Sequence, residues 1–236
     1  MNIHRITHNP KTGSCSLYFI GCNFRCMCCY WKQIYGSVKL NKLKFANMDE
    51  VIRLLKSVKP QSVSILSGDP VLNPDYARLP GTLKKEIGCK VRLLTNGYIL
   101  PDLEGVTHVS MSIKAADDEV HKKYTGKSNK KCLENLKIIH KAGIEFSVSS
   151  VLIPDLLDKD EIERMAKFLS TVDKNIPFRI IGYMKVEGLP YRVPDCGELN
   201  ETADIARKYL KNAVFSRSKG EDYTGVVDLF TNNLRR

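Results

Sequence analysis

Two rhythms run through the 236 residues. Runs in which apolar side chains recur at every second position lie at 16–21, 62–66, 90–94, 108–113, 145–153 and 178–182, and each predicts a strand. Between them the spacing changes to i, i+3, i+4, i+7. Val51, Leu54, Leu55 and Val58 follow it, with Asn47 and Glu50 placed as a capping box. Ile162, Met165, Ala166 and Leu169 repeat the stripe, and Leu199, Ala203, Ala206 and Leu210 form a last one. Alternating strands and helices predict an α/β fold built of βα units on a parallel sheet. Six such units with no linker-like segment predict one domain over 1–236, its core at about 15–210. Residues 211–236 carry no motif and read as a C-terminal extension that covers the barrel or contacts a partner. A closed eight-unit barrel takes about 250 residues, so the expected architecture is an open, partial (β/α)6 barrel.

Two strands reverse the usual filling of a barrel. At 108–114, Val109, Met111 and Ile113 share one side while Ser110, Ser112 and Lys114 share the other. The apolar side must meet the helices, which leaves the polar side in the lumen. In the next strand Phe146 and Val148 oppose Ser147 and Ser149 in the same way. A polar lumen on adjacent strands predicts a binding cavity, although small residues at a wet barrel mouth would give the same alternation.

Composition narrows the class. No run approaches the ~18 apolar residues of a membrane span, and Met1-Asn2-Ile3-His4-Arg5 begins no secretory signal, so a cytoplasmic protein without a membrane partner is expected. The net charge is +11, but the lysines are spread over the whole chain. Lys130, Lys137 and Lys141 share a helix face with Glu134, and no aromatic residues interleave with them, which speaks against a nucleic-acid partner.

The chemistry sits in one loop. Four of the eight cysteines fall in Cys22-Asn23-Phe24-Arg25-Cys26-Met27-Cys28-Cys29. Cys22, Cys26 and Cys29 give the spacing C-x3-C-x2-C, in which three thiolates can hold three irons of a [4Fe–4S] cube and leave the fourth open. A structural zinc site would want a second pair of ligands, and none follows. Adjacent cysteines in one loop also suit no disulfide framework, and an exposed cluster calls for a reducing, anaerobic interior. Cys15, Cys89, Cys132 and Cys196 are isolated and read as buried packing. His4 and His8 share helical spacing in a terminus with no other pattern, which assigns them no role.

With a cysteine loop at the C-terminal end of a first strand, the chain resembles the radical S-adenosylmethionine (radical SAM) superfamily over about residues 15–185. The resemblance implies that Cys22, Cys26 and Cys29 hold the cluster and that SAM chelates its open iron. One electron then cleaves SAM, and the resulting 5′-deoxyadenosyl radical takes a hydrogen atom from a substrate. Ser67-Gly68-Asp69-Pro70 looks like the turn that meets the SAM amine, and Thr95-Asn96-Gly97 like the turn after the third strand. Within the superfamily the likeness is greatest to the pyruvate formate-lyase activating enzymes. It is carried by Ile113-Lys114, Tyr124-Thr125-Gly126-Lys127-Ser128-Asn129, Leu133-Glu134-Asn135-Leu136 and Val151-Leu152-Ile153-Pro154, in that order. It places Ser67, Gly68, Asp69, Asn96, Ser112, Lys114 and Ser149 around SAM.

Several positions depart from that group. Leu94 and Ser112 stand where carboxylates build a cation site beside SAM, and Ser149 stands where an arginine meets the SAM carboxylate, a charge Arg179 could supply. Cys28 takes the place of the aromatic that packs on adenine, with Trp31 or Tyr30 as substitutes. The resemblance implies an activating-enzyme-like oxidoreductase that acts on a protein or small-molecule substrate and draws electrons from a donor such as ferredoxin or flavodoxin. A related enzyme of small-molecule biosynthesis and a non-catalytic iron–sulfur protein are the alternatives. Formation of 5′-deoxyadenosine separates the enzymes from the binder.

Overall fold

The structure is a computed structural model that describes residues 1–35, 40–217 and 225–232. Its described strands form one nine-stranded sheet: β1 (Ile3–Asn9), β2 (Ser14–Phe19), β3 (Ser62–Leu66), β4 (Lys90–Thr95), β5 (His108–Ser112), β6 (Glu145–Leu152), β7 (Phe178–Gly182), β8 (Ala213–Ser216) and β9 (Val227–Phe230). Their order is β8-β7-β6-β5-β4-β3-β2-β1-β9. Strands β2 to β8 run parallel to their neighbours, while β1 and β9 are antiparallel additions at one edge. Because β8 and β9 are opposite edges and do not pair, the sheet stays open as a partial barrel. The six expected strands are β2 to β7.

Among the described residues there are seven α-helices: α1 (Tyr30–Tyr35) in the segment after β2 and, on the outside of the sheet, α2 (Met48–Val58), α3 (Leu79–Ile87), α4 (Asp118–Thr125), α5 (Lys130–Lys141), α6 (Lys159–Val172) and α7 (Cys196–Arg207). The stripes read from sequence are their inner faces. Val51 and Leu55 of α2, Ile162, Met165, Ala166 and Leu169 of α6, and Leu199, Ala203 and Ala206 of α7 are all buried. Full burial of a leucine such as Leu55 contributes roughly 2 kcal/mol. Asn47 caps α2 by accepting the Glu50 N–H at 2.9 Å, and Asp195 makes a full capping box with Glu198 on α7.

The sides of β5 and β6 are as the alternation requires. Val109, Met111, Phe146 and Val148 are buried, and the register sets Ser110 beside Ser147 and Ser112 beside Ser149 on the other face. The lumen is therefore polar across both strands, and His108 reaches the Ser147 hydroxyl at 2.9 Å.

Three strands and one cysteine depart from expectation. The terminus holding His4 and His8 is β1, whose residues Ile3 to Thr7 are buried on both faces, so no alternation marks it. Residues 211–236 supply β8 and β9, one at each edge of the sheet, so within the described residues the extension continues the sheet on both sides. Cys15, Cys89 and Cys132 are buried, but Cys196 is exposed at the first position of α7, outside the stripe that faces the core.

Candidate active site

The cysteine loop leaves β2 at its C-terminal end and is held from three directions. Gly21 accepts the Asp69 N–H at 2.8 Å from the turn after β3. On the far side Thr125 and Tyr124, at the end of α4, accept the N–H groups of Arg25 and Met27 at 2.8 and 3.0 Å. Phe24 packs its ring between Tyr98 and His121, with edge-on centroid distances of 5.7 and 5.3 Å. A loop rich in polar backbone is thus fixed by its neighbours before any metal arrives.

Cys22, Cys26 and Cys29 line one cavity of about 540 Å³ at this end of the barrel. Among the described residues no three His, Cys, Asp or Glu side chains are arranged to hold a single metal ion. A [4Fe–4S] cube makes a different demand, since it spreads three sulfur ligands over three irons. Three free thiols on one cavity wall supply that donor set. Burial pushes the Cys26 thiol up to about 11, so metal uptake there must release its proton. Cys28 is buried outside the cavity lining, beside Tyr183.

The turn after β3 forms the opposite wall. Ser67 and Gly68 both line the cavity and both have left-handed backbones, at φ 71° and 57°. For Ser67 this conformation costs on the order of 1 kcal/mol and is the kind of strain that collects at functional sites. Gly68 is required sterically, since a Cβ there would lie 2.1 Å from the Gly21 carbonyl oxygen. Asp69 points elsewhere. Its carboxylate, pushed up by burial, accepts from the Thr95 hydroxyl at 3.1 Å, the Asn96 N–H at 3.0 Å and the Val71 N–H at 3.2 Å.

Asn96, Ser112 and Lys114 also line the cavity, and the Lys114 ammonium donates to the Ser112 hydroxyl at 2.6 Å. Leu94 lines it as well, so an apolar side chain and a lysine occupy the region where carboxylates were sought. Ser149 and Arg179 are outside the lining, and Arg179 is exposed. Of the two aromatic substitutes, Trp31 lines the cavity and leans on Tyr18 at 5.9 Å, whereas Tyr30 is exposed and does not.

Two contributors went unread in the sequence. Lys32 lines the cavity and donates to the Cys26 carbonyl at 3.3 Å. Asn23 accepts the Asn96 side-chain amide at 2.7 Å, a contact across 73 positions that no local spacing encodes.

Comparison with known proteins agrees with this geometry. The chain is 35% identical over 219 residues to a Methanocaldococcus jannaschii protein assigned to the glycyl-radical enzyme activating enzymes, covering 88% of this chain and 82% of that one. It is 26% identical to the pyruvate formate-lyase-activating enzyme of Clostridium pasteurianum, over 83% of this chain and 89% of that one. Its fold matches the crystal structure of Streptococcus suis SuiB bound to S-adenosylmethionine with a TM-score of 0.63 at 17% identity, covering 89% of this chain and 47% of that one. The sequence model of the radical SAM superfamily matches residues 17–169. A cysteine triad, a glycine turn and a lysine on one cavity of a partial barrel, joined to that match over more than half its length, make this chain a member of the radical SAM superfamily.

Proposed function

We propose that this enzyme activates a partner protein by removing a hydrogen atom from a backbone glycine. The observation that carries the reading is the single cavity on which Cys22, Cys26 and Cys29 meet Gly68 and Lys114. The substrate class is drawn from the two relatives, each an activating enzyme by name and each covered over more than four-fifths of its length.

When bound, a reduced [4Fe–4S] cluster would supply one electron to SAM, chemistry that turns SAM into methionine and a 5′-deoxyadenosyl group able to take the hydrogen atom and leave as 5′-deoxyadenosine. The chain's own residues do the rest. Cys22, Cys26 and Cys29 hold three irons. Gly68 lets the turn approach without a side chain in the way, and its neighbour Ser67 offers backbone polar groups to the methionyl amine. Lys114 and Lys32 are the cations on the cavity wall and face the carboxylate in place of the arginine absent at Ser149. Trp31 offers a flat apolar face to adenine. We place the enzyme in an anaerobic cytoplasm with a ferredoxin or flavodoxin as donor. No helix among the described residues is long and apolar enough to cross a membrane.

The test is anaerobic reconstitution, then SAM and reductant, with and without a candidate glycyl-radical enzyme. The reading expects 5′-deoxyadenosine in stoichiometry with a glycine-centred electron paramagnetic resonance (EPR) signal on the partner. Deoxyadenosine that forms only with small molecules would move the assignment to biosynthesis. Four bound irons with no SAM cleavage would make the chain a binding protein.

A further inference from the structure

The three cluster thiols are not equivalent. The Cys22 sulfur receives two N–H donors, the Phe24 backbone at 3.4 Å and the Asn96 side-chain amide at 3.7 Å. Among the described residues no hydrogen bond reaches the sulfur of Cys26 or Cys29.

The direction of the Asn96 amide is fixed by its surroundings. Its oxygen accepts the Tyr98 N–H at 2.9 Å, so the nitrogen must face the loop, where it donates to Asn23 Oδ1 at 2.7 Å and to the Cys22 sulfur at 3.7 Å. Its backbone N–H is held by the buried Asp69 carboxylate. Asn96 is itself buried, and a Cβ on the following Gly97 would meet the Met111 side chain, so the turn has little room to move. A donor held by three hydrogen bonds toward one sulfur is preorganised before the cluster binds.

Hydrogen bonds to ligand sulfurs stabilise the more electron-rich, reduced cluster and raise its potential. We propose that Asn96 is a positioning residue that sets the reduction potential of the cluster through Cys22. This rests on the radical SAM reading of the site, and adds to it that the Thr95-Asn96-Gly97 turn acts on the cluster electronically.

The experiment is an EPR-monitored redox titration of the anaerobically reconstituted wild type, Asn96→Ser and Asn96→Asp, each shown to carry four irons per chain. Serine keeps a short acceptor for the Tyr98 N–H but cannot reach the sulfur; aspartate keeps the shape and removes the donor. The expected result is a midpoint lowered about tenfold in the reduced-to-oxidised ratio for the serine variant, about 59 mV for one electron, and lowered further for the aspartate. An unchanged midpoint in a fully loaded serine variant overturns the proposal. Should both variants fail to load, the wild type decides. With asparagine amides labelled with ¹⁵N, its reduced cluster should show a hyperfine coupling to an amide nitrogen that persists in Asn23→Ala, and absence of that coupling overturns it. A wild type that takes up no four-iron cluster instead sinks the reading beneath, so the two failures are distinguishable.

Discussion

The carboxylate of Asp69 accepts the backbone N–H of Asn96 at 3.0 Å, which ties the turn after β3 to the turn after β4 from inside the protein. The Thr95 hydroxyl lies 3.1 Å from both of its oxygens, and the Val71 N–H completes the set. Asp69→Ala would strand these donors in a buried place, each costing about 1–3 kcal/mol. We expect a loss of about 3 kcal/mol or more in urea unfolding of the metal-free protein, with Asp69→Asn losing less because its amide oxygen still accepts. A variant as stable as the wild type would show that water replaces the carboxylate.

Much of the fold was legible because one physical cause wrote both pattern and position. The serines of β5 and β6 alternate with Val109, Met111, Phe146 and Val148 because one face meets helices and the other the lumen. Strand β1 was not legible, since His4, Arg5 and Thr7 are buried beside Ile3 and Ile6. Arg5 is tolerated there by lying 5.2 Å from the Tyr18 ring centre and pairing with Asp228 at 2.6 Å, partners 13 and 223 positions away. The cysteine triad could be read from spacing alone, because its ligands lie within one loop. Asp69 could not. The resemblance set the backbone of its turn beside SAM and was silent on its carboxylate, whose oxygens are committed to a turn 27 residues on, which only the folded chain brings near.

Adjacent cysteines give a sharp test of the ligand assignment. Cys29 lines the cavity, while Cys28 is buried away from its lining. Alanine at Cys22, Cys26 or Cys29 should lower reconstituted iron and the cluster's visible absorbance to near background. Cys28→Ala should keep both and lose about 1 kcal/mol of stability through the small space it leaves. Iron retained in Cys29→Ala but lost in Cys28→Ala would exchange their roles.

His4 makes stability depend on acidity. It is about 1% exposed, its ring edge-on to Tyr18 at 6.4 Å, and burial with the neighbouring Arg5 charge pushes it down to about 4. The unfolded chain, with an ordinary histidine near 6.5, takes up its proton first as pH falls. The stabilising contribution is therefore complete above pH 6.5 and is lost between 6.5 and 4, amounting to about 3 kcal/mol. Urea unfolding at pH 7, 5.5 and 4.5 should show the wild type losing more stability than His4→Gln over that range. Parallel curves would mean that His4 is protonated in the fold.

Lys114 decides what the cavity does with cations. Its ammonium donates to Ser112 at 2.6 Å, and Leu94 on the same wall has no oxygen to offer a metal. A hard cation needs several oxygen ligands, and the side chains of Leu94 and Ser112 offer it between them one neutral hydroxyl already engaged by a positive charge. SAM cleavage should therefore proceed at the same rate, within about twofold, in sodium, potassium and metal-free buffers. Lys114→Met should weaken SAM binding by roughly tenfold, as expected for losing one charge-assisted hydrogen bond worth about 1.5 kcal/mol or more, and leave the unfolding midpoint nearly unchanged. Leu94→Asp with Ser112→Asp would restore two carboxylates to one wall, where they repel each other unless Lys114 or a metal lies between them. That double variant should gain a dependence on added cation, read from 5′-deoxyadenosine formation. A strong cation effect in the unmodified protein would show instead that other oxygens assemble the site, and the ammonium of Lys114 would then have to point away from it.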